Sequence, residues 1–133
     1  MNLNYNDARA LLDRAVEEKG ADYVYPEGER ENWGGRENLC SYYTKRGGEV
    51  VPSCIIGHVV DYLGLRKKFL AKREQYEGGP GTSILRTLGV PLTAKAEALL
   101  DEVQTQQDEG RPWGDAVDYA DVIEDTTDDE VYR

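Results

Sequence analysis

Pro52-Ser53-Cys54-Ile55-Ile56-Gly57-His58-Val59-Val60-Asp61-Tyr62-Leu63-Gly64 is the most apolar run in the chain, and it carries the only histidine and one of the two cysteines. It reads as the central helix. Ser53 is suited to cap it, because a serine hydroxyl accepts from the unpaired backbone N–H groups of a first helical turn. Gly64 is suited to end it, because glycine enters the left-handed conformation that closes helices at little cost.

Just upstream, Leu39-Cys40-Ser41-Tyr42-Tyr43-Thr44, then Lys45-Arg46-Gly47-Gly48, then Glu49-Val50-Val51 reads as strand, turn, strand, with aromatic and β-branched residues around a Gly-Gly tip. Pro52 has no N–H to give to a ladder, so the second strand is expected to stop there and hand over to the helix. Before this unit, residues 21–38 hold no sustained period; Tyr23 to Tyr25 reads as a short extended piece, and the polar, Gly-rich part from Glu27 to Asn38 as a flexible loop. The chain opens with a helix begun by Asn6-Asp7-Ala8, in which Ala8, Leu11, Leu12, Ala15 and Val16 recur at helical spacing and Gly20 ends the pattern.

Downstream, Leu65 to Tyr76 is a cationic helix or turn with five bases, Arg66, Lys67, Lys68, Lys72 and Arg73, in eight positions. Glu77-Gly78-Gly79-Pro80-Gly81 breaks the chain. Thr82 or Ser83 then caps a short helix holding Ile84, Leu85 and Leu88, which Gly89 ends, and Thr93 caps a longer one with Ala96, Leu99, Leu100 and Val103 on one face, ended by Gly110. Pro112, placed in the first turn, starts a last helix with Val117, Ala120 and Ile123 turned inward and Trp113 as an anchor. The expected fold is therefore α+β and mainly helical: one domain over 1–123, a two-stranded hairpin packed beside the central helix, about five helices in total, and an acidic, fraying tail over 124–133. Leu11, Leu12, Val16, Ile55, Ile56, Val59, Leu63, Leu85, Leu88, Leu99, Leu100 and Val103 are the expected core.

The chain has 26 acidic against 16 basic side chains in 133 residues, a net charge of −10. Such a balance disfavours direct binding to nucleic acid or an anionic membrane and favours a basic partner. Nothing near the start pairs a basic end with an apolar segment, and no apolar run approaches the ~20 residues a membrane span needs, so a cytoplasmic protein without membrane partners is expected. Two cysteines are too few for a disulfide framework, and as thiols they fit a reducing compartment.

Cys54 at the first position of a helix and His58 four residues on would share a helical face, which raises a nucleophile and its base. Side chains at i and i+4 rarely align for proton transfer, and Ile55, Ile56, Val59 and Val60 surround the pair, so a core thiol and a hydrogen-bonded imidazole are the preferred reading. A metal site of Cys40, Cys54 and His58, with Asp22 or Asp61 as fourth ligand, is the other chemical alternative; it lacks the short paired spacing of structural zinc sites. The Gly-rich pieces at 34–35, 47–48 and 78–81 lack the lysine and spacing of a phosphate loop. No cofactor is expected.

Charge segregation is more informative. Residues 101–130 contain twelve acids and one base, Arg111, whereas 66–73 contains five bases and no acid. Asp115, Asp118, Asp121, Glu124 and Asp125 are the expected partner-binding residues, a docking stripe for a basic protein, including one whose usual ligand is nucleic acid. Nine tyrosines against one phenylalanine, with Tyr23, Tyr25, Tyr42 and Tyr43 near the hairpin, fit amphipathic packing at a core edge more readily than a binding surface.

The runs Ala10 to Pro26, Pro52 to Val59, and Gln106-Gln107-Asp108-Glu109-Gly110 with Trp113-Gly114 give the chain a likeness that spans most of its length: it resembles a group of small uncharacterised proteins of actinobacteriophages and their actinobacterial hosts. That resemblance implies a phage origin and action in the host cytoplasm, and it carries no catalytic residues with it. The basic run from Arg66 to Arg73 and the acidic end are less typical of the group. By analogy it implies an accessory protein that binds a host or phage protein.

Overall fold

The computed structural model describes residues 3–25, 42–46, 48–71 and 81–124. Within them the chain is mainly helical, with α1 (Tyr5–Lys19), the strands β1 (Tyr43–Arg46) and β2 (Glu49–Pro52), then α2 (Ile55–Tyr62), α3 (Arg66–Ala71), α4 (Gly81–Thr87), α5 (Ala94–Asp108) and α6 (Trp113–Glu124). Six helices rather than about five are present among the described residues, because Arg66–Ala71 forms a helix of its own. Cys40, the Gly-rich pieces at 34–35 and 78–80, and the tail beyond Glu124 lie outside the described residues.

Local chemistry sets most boundaries. α1 starts at Tyr5, one residue ahead of the expected opening at Asn6-Asp7-Ala8, with Asn4 as its cap. Asn4 accepts from Asp7 N–H at 2.8 Å while the Asp7 carboxylate takes the Asn4 N–H at 3.1 Å, a reciprocal capping box. Thr93 caps α5 through the Ala96 N–H. α2, α4 and α5 end alike: at the first, Gly64 has φ 75°, its N–H reaches Asp61 O at 2.9 Å, and Leu65 N–H reaches Val60 O at 3.2 Å. α4 begins at Gly81, ahead of the expected caps at Thr82 and Ser83. α6 begins at Trp113, so Pro112 stands just outside it and lends its carbonyl to Ala116 N–H at 2.8 Å.

β1 and β2 pair antiparallel, Tyr43 opposite Pro52 and Arg46 opposite Glu49. Pro52 is the last residue of β2 instead of lying beyond it, and the contact runs one step further through Ser53 N–H to Tyr42 O at 2.9 Å. The pair lies against α2 so closely that a Cβ on Gly57 would overlap the Tyr42 carbonyl oxygen. Arg66 ties the same two layers, donating to Val50 O at 2.8 Å and by two bonds to the Asp61 carboxylate.

Ile55 to Val60 are all buried, so α2 is enclosed by the molecule. The hub, however, is α5, which packs on α1, α2, α4 and α6. Leu12, Leu85, Leu99, Leu100, Val103 and Val117 meet the α2 residues in one cluster. Leu11, Val16 and Leu63, expected inside, are only half-buried at its margin. Trp113 and Tyr43 are fully buried, and Tyr25 nearly so, which assigns these aromatics to packing. The start of the chain is held by Leu3, which bridges in parallel to Leu92 through Leu3 N–H to Pro91 O (2.8 Å) and Thr93 N–H to Leu3 O (3.0 Å). The α1 exit and the α6 entry are fastened by Trp113 N–H to Tyr23 O at 2.8 Å and Gly114 N–H to Ala21 O at 3.0 Å. No described helix is long and apolar enough to cross a membrane.

Candidate functional site

Cys54, rather than Ser53, occupies the N-cap of α2, and its Sγ accepts the Gly57 N–H at 3.3 Å. A thiol is a weak acceptor, yet here it serves a donor that has no helical partner. Ser53 lies one residue earlier, buried, with its hydroxyl 3.4 Å from the Tyr25 hydroxyl. This one-residue shift removes the premise that put Cys54 at the first helical position.

His58 is four residues on but does not meet the thiol. Its Nδ1 lies 2.9 Å from the Cys54 carbonyl oxygen, which can only accept, so Nδ1 carries a proton. The neutral ring then presents the Nε2 lone pair to the Glu18 carboxylate, 3.8 Å away. Trp113 packs edge-on at 5.2 Å between centroids. Burial, the largest influence, pushes the imidazole pKa down from 6.5; the Cys54 carbonyl and Glu18 push it up without overcoming that. Nδ1 is committed to the Cys54 carbonyl and no hydrogen bond joins ring to thiol, so the two residues are not placed as a nucleophile and its base.

Of the residues in the metal alternative, Cys40 lies outside the described ones. Among the described residues, no group of three or more His, Cys, Asp or Glu side chains is placed to hold an ion. Cys54 is a buried free thiol, and Asp61, the suggested fourth ligand, is taken by Arg66 and by the Tyr43 hydroxyl at 3.2 Å. Those Arg66 hydrogen bonds, opposed by partial burial, hold the Asp61 carboxyl below its ordinary pKa.

The acidic residues of α6 divide into two kinds. Trp113, Ala116, Val117 and Ala120 form the buried face of the helix. Asp115 and Asp118 are exposed opposite it; Asp115 makes no ion pair with a described residue, and Asp118 has only Arg9 at 3.6 Å. Asp121 is different. Its carboxylate takes the Arg9 guanidinium at 2.6 Å and the Tyr5 hydroxyl, bonding α6 to α1. Partial burial opposes its ionisation, but the Tyr5 and Arg9 hydrogen bonds and the Arg9 and Lys95 charges prevail and hold its pKa down. Asp121 is therefore a structural carboxylate and not a free member of the stripe. The Glu124 side chain and Asp125 fall outside the described residues.

Among the described residues, the bases of α3 make no ion pair with the acidic third. Arg66 serves Asp61, Lys68 donates to Leu88 O at 3.0 Å, and Lys67 is exposed. Sequence reasoning missed Arg9 as the partner of Asp121, and it missed four polar residues buried on α5: Lys95, Gln104, Gln106 and Gln107. Gln107 takes the Ile55 N–H at 2.8 Å, while the Lys95 ammonium has no hydrogen-bond partner among the described residues and lies 5.0 Å from the Tyr5 ring centroid. A depression between α4 and α5, lined by Arg86, Ala94, Glu97, Ala98 and Asp101, is bridged by the Arg86–Glu97 ion pair and reaches neither Cys54 nor His58.

No protein-family model matches the chain, and no curated protein or solved structure is detectably similar to it.

Proposed function

We propose that this chain is a small accessory protein that acts by binding another protein, with no reaction of its own, and that it docks through the outer face of α6. The observation that carries the reading is the asymmetry of that helix: a fully buried apolar side, and on the other side Asp115 and Asp118 held out in water with little to pair with. A net charge of −10 supports a basic partner and opposes nucleic acid itself. A basic protein whose usual ligand is nucleic acid fits the same chemistry. The resemblance to actinobacteriophage proteins fits an accessory role in the cytoplasm, that of the host if the chain is phage-encoded.

The test compares wild type with the double variant Asp115→Lys and Asp118→Lys as bait in actinobacterial lysate at low and high ionic strength. A protein retained by wild type at low salt, released at high salt and not retained by the variant is the expected result. Equal retention by both baits overturns the assignment of this face.

A further inference from the structure

We infer that the occupant of the α6 face is an amphipathic basic segment, a Lys- or Arg-rich stretch of a protein that also offers an apolar side chain. This rests on the docking reading above and specifies the partner. Positions 115, 118, 119 and 122 follow one another at i, i+3, i+4 and i+7, so they share one face along about 10 Å of helix. Two are exposed carboxylates, Asp115 without an ion pair to a described residue and Asp118 with only its long contact to Arg9; the others are Tyr119 and Val122, 40% and 72% exposed.

A single exposed apolar residue is ordinary on any surface. The pairing is what selects a ligand. A partner with bases alone would satisfy Asp115 and Asp118 and leave Val122 in water, whereas an uncharged apolar partner would cover Val122 and strip water from the Asp115 carboxylate and from Asp118, which has only a long contact to Arg9, at a cost. Nucleic acid and anionic lipid are repelled. A segment carrying both kinds of side chain meets every group on the face. The chain supplies its own sample of the basic contact, since the Arg111 guanidinium lies 4.6 Å from the Tyr119 ring centroid.

Two synthetic peptides of equal charge test this: one with Lys and Leu at amphipathic helical spacing, the other with every Leu replaced by Ser. Each is titrated by calorimetry and amide NMR into wild type, Val122→Ser, and the Asp115→Lys, Asp118→Lys double variant. The Leu peptide is expected to bind wild type about tenfold more tightly than the Ser peptide, since burial of one aliphatic side chain is worth that much. It should shift the amides of Asp115, Asp118, Tyr119 and Val122, and Val122→Ser should bring the two peptides to within about twofold of each other. Equal binding of both peptides to wild type, or a preference that survives Val122→Ser, overturns the amphipathic inference and leaves electrostatic docking standing. Binding unchanged in the double variant, shifts centred elsewhere, or no binding of either peptide overturns the docking reading as well.

Discussion

The side-chain oxygen of Gln107 accepts the backbone N–H of Ile55 at 2.8 Å, so the far end of α5 closes the start of the most enclosed helix in the molecule. The first turn of any helix leaves donors without partners, and here Ile55 and Gly57 are buried. Gly57 gives its N–H to Cys54 Sγ and Ile55 gives its to Gln107, so one cap is local and the other comes from fifty-two residues away.

Replacing Gln107 with Leu keeps the side-chain bulk and removes the acceptor. A buried N–H left alone costs about 1–3 kcal/mol, and Gln107→Leu is expected to lose that much in urea unfolding, with faster amide exchange at Ile55. A loss below about 0.5 kcal/mol would show that the Ile55 donor finds another acceptor.

How far the sequence was legible follows from the range of the interactions. Asn4, Thr93, Gly64, Gly89 and Gly110 act within a few residues of themselves, so most helix ends could be read, to within a residue or two. The apolar spacing of Leu99, Leu100 and Val103 likewise placed one face of α5. What stayed hidden were partners distant in the chain: Gln107 for Ile55, Arg9 for Asp121, Glu18 for His58. Hydropathy ranks Lys95 and Gln107 as surface residues, and only the tertiary fold shows them inside. The Cys54 and His58 spacing alone does not decide between a reactive pair and the preferred core reading, for a related reason. Helical periodicity places two residues on one face but does not orient their polar atoms, and here the thiol and the ring turn to different backbone groups.

The N-cap role of Cys54 predicts an inert thiol. In a Cys40→Ser background, alkylation of Cys54 at neutral pH should proceed only as fast as the protein opens, because Cys54 is wholly buried. Cys54→Ser, which retains an acceptor, should lie within about 1 kcal/mol of the parent in denaturant midpoint experiments, and Cys54→Ala should lose about 1 kcal/mol or more. Alkylation at the rate of a free thiol in the folded protein would contradict this placement.

His58 gives the stability a pH dependence of definite sign. Its pKa is lowered in the folded state, so above about 6.5 both folded and unfolded imidazoles are neutral and the contribution is complete. As pH falls below that value the unfolded chain takes the proton first, and stability declines until the folded pKa is passed. A second decline is expected below about 4, where Asp61 and Asp121, whose folded pKa values are also lowered, become protonated. The imidazole NMR titration should show a midpoint under 6.5. A midpoint above 6.5 would mean that attraction to Glu18 outweighs burial, and stability would then rise toward acid over that range.

The sharpest distinction within α6 lies between Asp118 and Asp121, three residues apart and alike in sequence. The Asp118 side chain is 76% exposed and its contact with Arg9 is long, so Asp118→Lys should change unfolding free energy by no more than about 0.5 kcal/mol. Asp121 receives Arg9 and Tyr5 and faces the charge of Lys95. Asp121→Lys deletes both bonds and sets a third cation beside Arg9 and Lys95, so a loss of about 2 kcal/mol or more is expected, and Asp121→Asn should lose less because it can still accept from Tyr5. Urea unfolding of the three variants side by side measures the difference. Equal losses at 118 and 121 would return Asp121 to the exposed stripe, whereas the expected gap confines charge-reversal tests of docking to Asp115 and Asp118.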